Sequence, residues 1–282
     1  HASGVLALNQ PVWKNNAVMK TSKGILVTEM GEKSGAMHTI NYALEFNRDI
    51  FVVPGKINSP MSKGTNNLIK NLLKNVYFIN GTAYAGKSTM VKLLAERENG
   101  ILCEENYHNA LLENLDRNEF PGLTYTRDLK DWRHFIRRTP DEYERWINGV
   151  TKECEVLELR ILDKLSQTNK LIFVDTNISL ETLKQITDPS HVLIMLADPN
   201  ISVNRFFERP DKEKQFLYKL IMEEKDSDFA LQNFRNCLTR INSVENYNKF
   251  LNSGFNIIKR DENRSIEETA HIAIKYFGLK NE

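Results

Sequence analysis

Gly81-Thr82-Ala83-Tyr84-Ala85-Gly86-Lys87-Ser88 has the spacing G-x-x-x-x-G-K-S, and its flanks decide the fold. The apolar run Val76-Tyr77-Phe78-Ile79 leads into it, and Thr89-Met90-Val91-Lys92-Leu93-Leu94-Ala95-Glu96 leads out. The first reads as a buried strand and the second as a helix. A strand, a glycine-rich turn and a helix N-terminus in that order surround a polyphosphate with successive backbone N–H groups. In such a loop Lys87 reaches the outer phosphates and the Ser88 hydroxyl ligates Mg²⁺, while Gly81, Thr82, Ala83, Tyr84, Ala85, Gly86 and Thr89 complete the cradle. ATP with Mg²⁺ is therefore the expected ligand. The bland alternative is a glycine-rich turn that binds nothing, and the strand before it and helix after it argue against that.

The rest of the chain from Asn75 onward continues the same pattern. Strands are expected at residues 76–80, 101–104, 171–175, 191–197 and 255–259, with mostly helical stretches between them, such as 150–166 and 212–224. Strands alternating with helices imply a parallel sheet covered on both faces. Before Asn75 lies a shorter αβ region. Gly24-Ile25-Leu26-Val27-Thr28-Glu29 and Asp49-Ile50-Phe51-Val52-Val53 read as strands, with a helix over residues 37–46 between them. The pattern thus gives an α/β fold class, with a five-stranded parallel sheet at 75–282 preceded by a partial βαβ segment at 1–74; the resemblances given below imply a P-loop kinase fold for the first and a Rossmann-like segment for the second.

Composition sets wide bounds. Of the 282 residues, 41% are hydrophobic and 27% charged, which is the balance of a globular protein with a real core. The net charge of +1 gives no overall electrostatic pull toward nucleic acid, so any basic patch must be local. Three well-separated cysteines, Cys103, Cys154 and Cys237, form no C-x-x-C pair and suggest reduced thiols in a cytoplasmic protein without a metal–thiolate site. No stretch approaches the ~20 apolar residues of a membrane span, so no membrane partner is expected. The sequence opens His1-Ala2-Ser3 with neither an initiator Met nor a charged-then-apolar signal segment, as a fragment or a processed chain would.

Three further places offer chemistry. Leu171-Ile172-Phe173-Val174-Asp175 is an apolar strand that ends in a carboxylate. Beside a phosphate loop, Asp175 can hold Mg²⁺ through water or accept a proton from an attacking hydroxyl, although a strand-terminal Asp also simply caps turns. Gly100-Ile101-Leu102-Cys103-Glu104-Glu105 ends a second strand, and Glu104 or Glu105 can orient or deprotonate the acceptor. Alternation along a strand predicts one of the two inward and the other solvated. Tyr107 and His108 follow closely, and a lone His there is more often packed than catalytic.

Asn204-Arg205-Phe206-Phe207-Glu208-Arg209 follows the fourth strand. Arg205 and Arg209 are four apart, so on a helix both face one way and can close over a transferring phosphoryl group. The alternative is a surface pair near Glu208 and Asp211. Residues 106–167 form a long insertion with Tyr125, Trp132, Arg137, Arg138, Tyr143 and Trp146. It can clamp an anionic ring compound, but a core with a solvated basic face is the simpler reading.

Two resemblances follow from these residues. The loop at 81–88, the strand ending in Asp175 and the arginine segment 205–209 together are similar to the adenylate kinase-like group of P-loop kinases. That similarity implies transfer of the ATP γ-phosphate to a small-molecule or nucleotide acceptor. The Asp-containing motif of shikimate-type members is replaced here by Glu104-Glu105.

Residues 11–70 resemble the C-terminal part of the Rossmann-like domain of the DNA-processing protein A family (DprA/Smf). The resemblance rests on Glu32-Lys33-Ser34-Gly35-Ala36-Met37, Tyr42-Ala43-Leu44-Glu45, Arg48-Asp49-Ile50-Phe51-Val52-Val53-Pro54-Gly55, and Asn58-Ser59-Pro60 through Lys63-Gly64-Thr65-Asn66-Asn67-Leu68-Ile69. It implies an alternative reading of the whole chain, as a DNA-processing protein that binds single-stranded DNA weakly and carries the P-loop unit as an accessory ATPase module. The family's Arg-Asn-Arg segment is replaced by Lys14-Asn15-Asn16, which weakens phosphate contact and stacking. The first half of the family domain has no counterpart, so the leader also reads as a remnant that contributes little to a kinase unit beginning near Lys74.

Overall fold

A five-residue run buried on both faces can only be an interior strand, and Val76-Tyr77-Phe78-Ile79-Asn80 is such a run. The computed structural model describes residues 24–31, 34–46, 48–53, 59–208 and 211–279. These fall into two compact units. One holds the described residues up to Lys74 together with Glu181–Asp188, and the other holds Asn75–Leu180 and Pro189–Glu282.

In the first unit, β1 (Gly24–Val27) and β2 (Asp49–Val52) pair in parallel, with Ile25 opposite Ile50 and Leu26 opposite Phe51. Helix α1 (Ala36–Glu45) connects them, and α2 (Lys63–Leu72) follows. Ile25, Val27 and Ile50 share a buried cluster with Ile40 and Ala43 of α1 and Leu68 of α2. Leu26 and Phe51, on alternate positions, are exposed.

The second unit is built on β3 (Val76–Gly81). It pairs in parallel with β5 (Ile172–Asp175) on one side and β6 (Val192–Leu196) on the other. Outside them lie β4 (Ile101–Cys103) and β7 (Asn256–Lys259), giving the order β4-β5-β3-β6-β7 with every pairing parallel. The chain therefore leaves β3 for one edge, returns to β5, and then crosses to the other side. That reversal opens a crevice at the C-terminal end of β3, where ligands of open α/β sheets bind.

Two helices cover one face of this sheet. Met90, Val91 and Leu94 of α3 (Lys87–Arg97) pack with Ile79, Phe173 and Met195, as do Ala270, Ala273, Ile274 and Phe277 of a C-terminal helix over Ile266–Phe277. Burying a side chain such as Phe173 contributes about 2–3 kcal/mol.

Between β4 and β5 the insertion folds as a 3₁₀ stretch (Tyr107–Asn114), α4 (Pro121–Asp128), a short α5 (Arg133–Ile136) and the 26-residue α6 (Pro140–Leu165). Helix α6 starts ten residues before the expected position 150. Thr139 and Glu142 form a reciprocal capping box there, and Pro140 occupies the first turn, where its missing N–H costs nothing. Short α7 (Leu180–Ile186) and α8 (Pro199–Asn204) lead to α9 (Lys212–Met222), α10 (Ser227–Ile241), α11 (Val244–Leu251) and, as α12, the C-terminal helix. Phe135, Ile136 and Tyr143 of the insertion form a helical core with Leu217, Ile221 and Phe234 of α9 and α10.

Candidate nucleotide site at the end of strand β3

The loop after β3 is pinned before it reaches a helix. Gly81 sits at φ +132°, and a Cβ there would lie 1.9 Å from the Met195 carbonyl oxygen, so only glycine fits. Its N–H donates to Asn80 Oδ1 at 2.6 Å, while Asn80 Nδ2 donates to the Ile178 carbonyl at 2.8 Å. Thr82 N–H donates to the Met195 carbonyl at 3.0 Å, and Thr82 Oγ1 accepts from Ala197 N–H at 2.7 Å.

Tyr84 occupies the left-handed region at φ 63°, a conformation that costs a bulky residue about 1–2 kcal/mol. Two bonds hold it: its hydroxyl donates to the Arg205 carbonyl at 2.8 Å, and its carbonyl accepts from Arg260 Nη1 at 2.7 Å. Gly86, at φ +91°, turns the chain into α3. The bond from Met90 N–H to the Gly86 carbonyl at 3.0 Å opens the helical ladder, so the amides of Lys87, Ser88 and Thr89 stand ahead of it. They lie where the helix dipole is positive.

Three side chains converge beneath that terminus. Ser88 Oγ donates to Asp175 Oδ2 at 2.8 Å. Lys87 Nζ stands 3.7 Å from Asp175 Oδ1 and donates to the Thr82 carbonyl at 3.4 Å. Asp175 is only 2% exposed. Burial raises its carboxyl above the ordinary range, Lys87 and Ser88 oppose that shift, and the charges of Glu105 and Glu158 add to it.

Among the described residues no group of three or more His, Cys, Asp or Glu side chains could hold a metal ion. One hydroxyl and one carboxylate suit a Mg²⁺ that keeps most of its ligands as water and phosphate oxygen. Ala85, Gly86 and Thr89 also share an open cleft of about 370 Å³ with Ile258 of β7 and with Arg260 and Arg264 after it. The sequence reading missed this wall, because nothing in residues 258–264 marks them as neighbours of the loop.

The other expected residues are placed unevenly. Glu104 and Glu105 are both exposed, since β4 ends at Cys103 and strand alternation stops there. Glu105 is the one whose charge reaches Asp175. Arg205 is not on a helix with position 209: α8 ends at Asn204, where Pro199 and the Asp198 cap set only a short helix, and residues 206–208 form a 3₁₀ turn. The Arg205 guanidinium is half exposed beside Glu208, at 3.8 Å. Arg209 lies outside the described residues, as do Lys14, Asn15 and Asn16.

His108 is buried, not catalytic in placement. Its Nε2 lies 3.2 Å from Cys154 Sγ and its Nδ1 3.5 Å from Glu158 Oε1. This has the form of a Cys–His–Glu array, but burial first, and Glu158 next, push the Cys154 thiol up to about 12. A thiol that stays protonated and shielded is no nucleophile. Trp132, Tyr143 and Trp146 belong to the helical core, in line with the simpler reading of the insertion.

Glu158 itself was not foreseen. Fully buried in the middle of α6, it accepts from Thr176 Oγ1 at 2.6 Å and from Asn177 N–H at 3.3 Å. One turn earlier, Glu155 accepts from Ser179 N–H at 2.8 Å. These two carboxylates hold the segment after Asp175 from one side, and Asn80 holds it from the loop side through Ile178.

With this geometry in place, comparison with known proteins identifies a relative for one part of the chain. Residues 9–81 match the family of DNA recombination-mediator protein A. The DprA/Smf match covers about a quarter of the chain (73 of 282 residues) and ends at Gly81, the first residue of the loop. Protein Smf of Escherichia coli (strain K12) is 43% identical over 65 residues, which are 23% of this chain and 17% of that protein. Protein Smf of Synechocystis sp. is 41% identical over 58 residues, 21% of this chain and 15% of that protein. The chain thus spans about a sixth of the length of the Smf proteins it matches. Among the described residues no helix is long and apolar enough to cross a membrane.

Proposed function

We propose that the unit from Asn75 onward is a phosphotransferase that moves the γ-phosphate of Mg²⁺–ATP to a small-molecule or nucleotide acceptor. The observation that carries this reading is the convergence of Ser88, Lys87 and Asp175 beneath the helix terminus of a loop that only glycine can open. A bound Mg²⁺ supplies neutralisation of charge on the phosphate oxygens. The amides ahead of Met90 bind those oxygens, and Lys87, released from Asp175, stabilises charge that builds between the β and γ positions. Ser88 would hold the metal directly and Asp175 through water, and either Asp175 or Glu105 would take the acceptor's proton. In this reading Arg205, whose carbonyl accepts from the Tyr84 hydroxyl of the loop, offsets charge on the transferring group. Three cysteines without disulfides fit a cytoplasmic location. The test is substrate-dependent ADP formation that is lost in Lys87→Ala.

The family match favours a second reading, for residues 9–81 alone: a DNA-processing segment that binds single-stranded DNA. With a net charge of +1 and a lysine and an asparagine in place of two arginines, the expected binding is weak and salt-dependent. A labelled oligonucleotide titrated at low and physiological salt tests it, and no shift at low salt counts against it. If the segment is a remnant, limited proteolysis leaves a stable product beginning near residue 71.

A further inference from the structure

Three consecutive residues of the phosphate loop are bonded to residues 197–205, the arm that follows β6. Thr82 Oγ1 accepts from the Ala197 N–H at 2.7 Å, the Ala83 carbonyl accepts from the Ser202 hydroxyl at 3.5 Å, and the Tyr84 hydroxyl donates to the Arg205 carbonyl at 2.8 Å. The first bond meets the arm at its start, the second within α8 and the third where α8 ends. Each step along the loop thus reaches further along the arm, with Arg205 at the far end.

Tyr84 is the unusual member of this series. At φ 63° it holds a conformation that glycine adopts freely and a bulky side chain adopts at a cost. Its ring packs, partly buried, against the core cluster that contains Ile79, Met90 and Met195, and Arg260 Nη1 holds its carbonyl at 2.7 Å. Neither contact uses the hydroxyl. The Arg205 carbonyl also accepts from the Glu208 N–H at 3.1 Å, which closes the turn after α8. The Tyr84–Arg205 bond is therefore an added link between loop and arm, one that neither segment needs for its own conformation.

At the other end of Arg205 the guanidinium is only loosely engaged. Its Nε stands 3.8 Å from Glu208 Oε2, and both side chains are more than half exposed. A pair of that kind contributes little, so a phosphate oxygen can displace the carboxylate. We propose that Tyr84 is a positioning residue: by tying the Arg205 backbone to the loop, it aims the guanidinium at the terminal phosphate and sets the preference for a nucleoside triphosphate over a diphosphate. This role rests on the phosphotransferase reading, in which Arg205 offsets charge on the transferring group. A contact made to the terminal phosphate alone strengthens the triphosphate complex and leaves the diphosphate complex unchanged.

Calorimetric titration of the full chain with Mg²⁺–ATP and with Mg²⁺–ADP tests it. Tyr84→Phe keeps the ring and removes only the hydroxyl. The preference for ATP over ADP should fall about fivefold, the worth of one neutral hydrogen bond, with the Kd for ADP within about twofold of native. Arg205→Ala keeps the carbonyl that Tyr84 bonds and should lower the preference about tenfold or more. In the double variant, Tyr84→Phe should cost nothing further, because it acts through a guanidinium already gone. A merely structural bond would instead weaken both ligands alike, or add its loss to that of Arg205→Ala.

No preference for ATP in the native chain overturns the assignment. So do an unchanged preference in Tyr84→Phe, an equal loss of ATP and ADP affinity, and losses that add in the double variant. Any of these, with Mg²⁺–ATP still bound in a Lys87-dependent manner, leaves the phosphotransferase reading standing. Absence of Lys87-dependent Mg²⁺–ATP binding overturns that reading and the role of Tyr84 with it.

Discussion

Removing the Glu158 carboxylate should loosen the segment that carries Asp175. In Glu158→Ala, the Thr176 hydroxyl loses its acceptor at 2.6 Å and the Asn177 N–H loses its acceptor at 3.3 Å, both next to a fully buried position. Each buried donor left unmet costs about 1–3 kcal/mol, and part of that is recovered by rearrangement, so a local loss of about 3 kcal/mol is expected. His108 Nδ1 also loses the carboxylate it faces at 3.5 Å. Glu158→Gln keeps an acceptor oxygen and should cost about 1 kcal/mol.

Because the chain has two units, global unfolding is a poor probe, and amide exchange reads the segment directly. Asn177 exchange should accelerate about a hundredfold in Glu158→Ala. Ser179, held separately by Glu155 at 2.8 Å, should change far less. Equal acceleration at Asn177 and Ser179, or a change at Asn177 within about threefold, would refute the idea that α6 holds this segment through two separate carboxylates.

Three other outcomes follow from named contacts. Gly81→Ala forces a Cβ against the Met195 carbonyl and should destabilise the loop by about 3 kcal/mol or more, abolishing ATP binding, as calorimetry will show. Asp175 has a folded-state pKa raised above its unfolded value, so its contribution to stability is full below the ordinary carboxylate range and is lost as pH rises through the raised value. Asp175→Asn should therefore flatten the stability–pH curve between those limits while abolishing transfer, and an unchanged slope in the exchange free energy of the Thr176 amide, corrected for intrinsic pH dependence, speaks against the burial argument. Burial pushes the thiols of Cys103 and Cys154 up to about 12 and that of Cys237 up to about 11, so alkylation at pH 8 should wait for unfolding. Rapid labelling of the native chain would contradict it.

The parts of this protein that were legible in the sequence are those written in short-range pattern. The run 76–79, the loop and the amphipathic start of α3 are contiguous, so periodicity and glycine spacing placed them, and Asp175 stood out as a carboxylate closing an apolar strand. The five strands of the second unit fall where apolar runs put them: β3, β5 and β6 are buried on both faces, and the edge strands β4 and β7 are partly buried.

What escaped depends on distance along the chain. Glu158 sits among other helical charges, and only the fold brings it to Thr176 and Asn177. Arg260 touches the loop across 176 positions through the Tyr84 carbonyl. The expected pairing of Arg205 with position 209 assumed a helix that a two-turn element could not sustain. Glu104 and Glu105 were assigned opposite faces of a strand that stops one residue too soon.

The most direct test of the account is equilibrium binding of Mg²⁺–ATP to the full chain and to Lys87→Ala. A loop built as described should bind Mg²⁺–ATP below about 1 mM, with affinity falling at least tenfold when the lysine is removed. No binding at millimolar Mg²⁺–ATP, or binding that ignores Lys87→Ala, would contradict it.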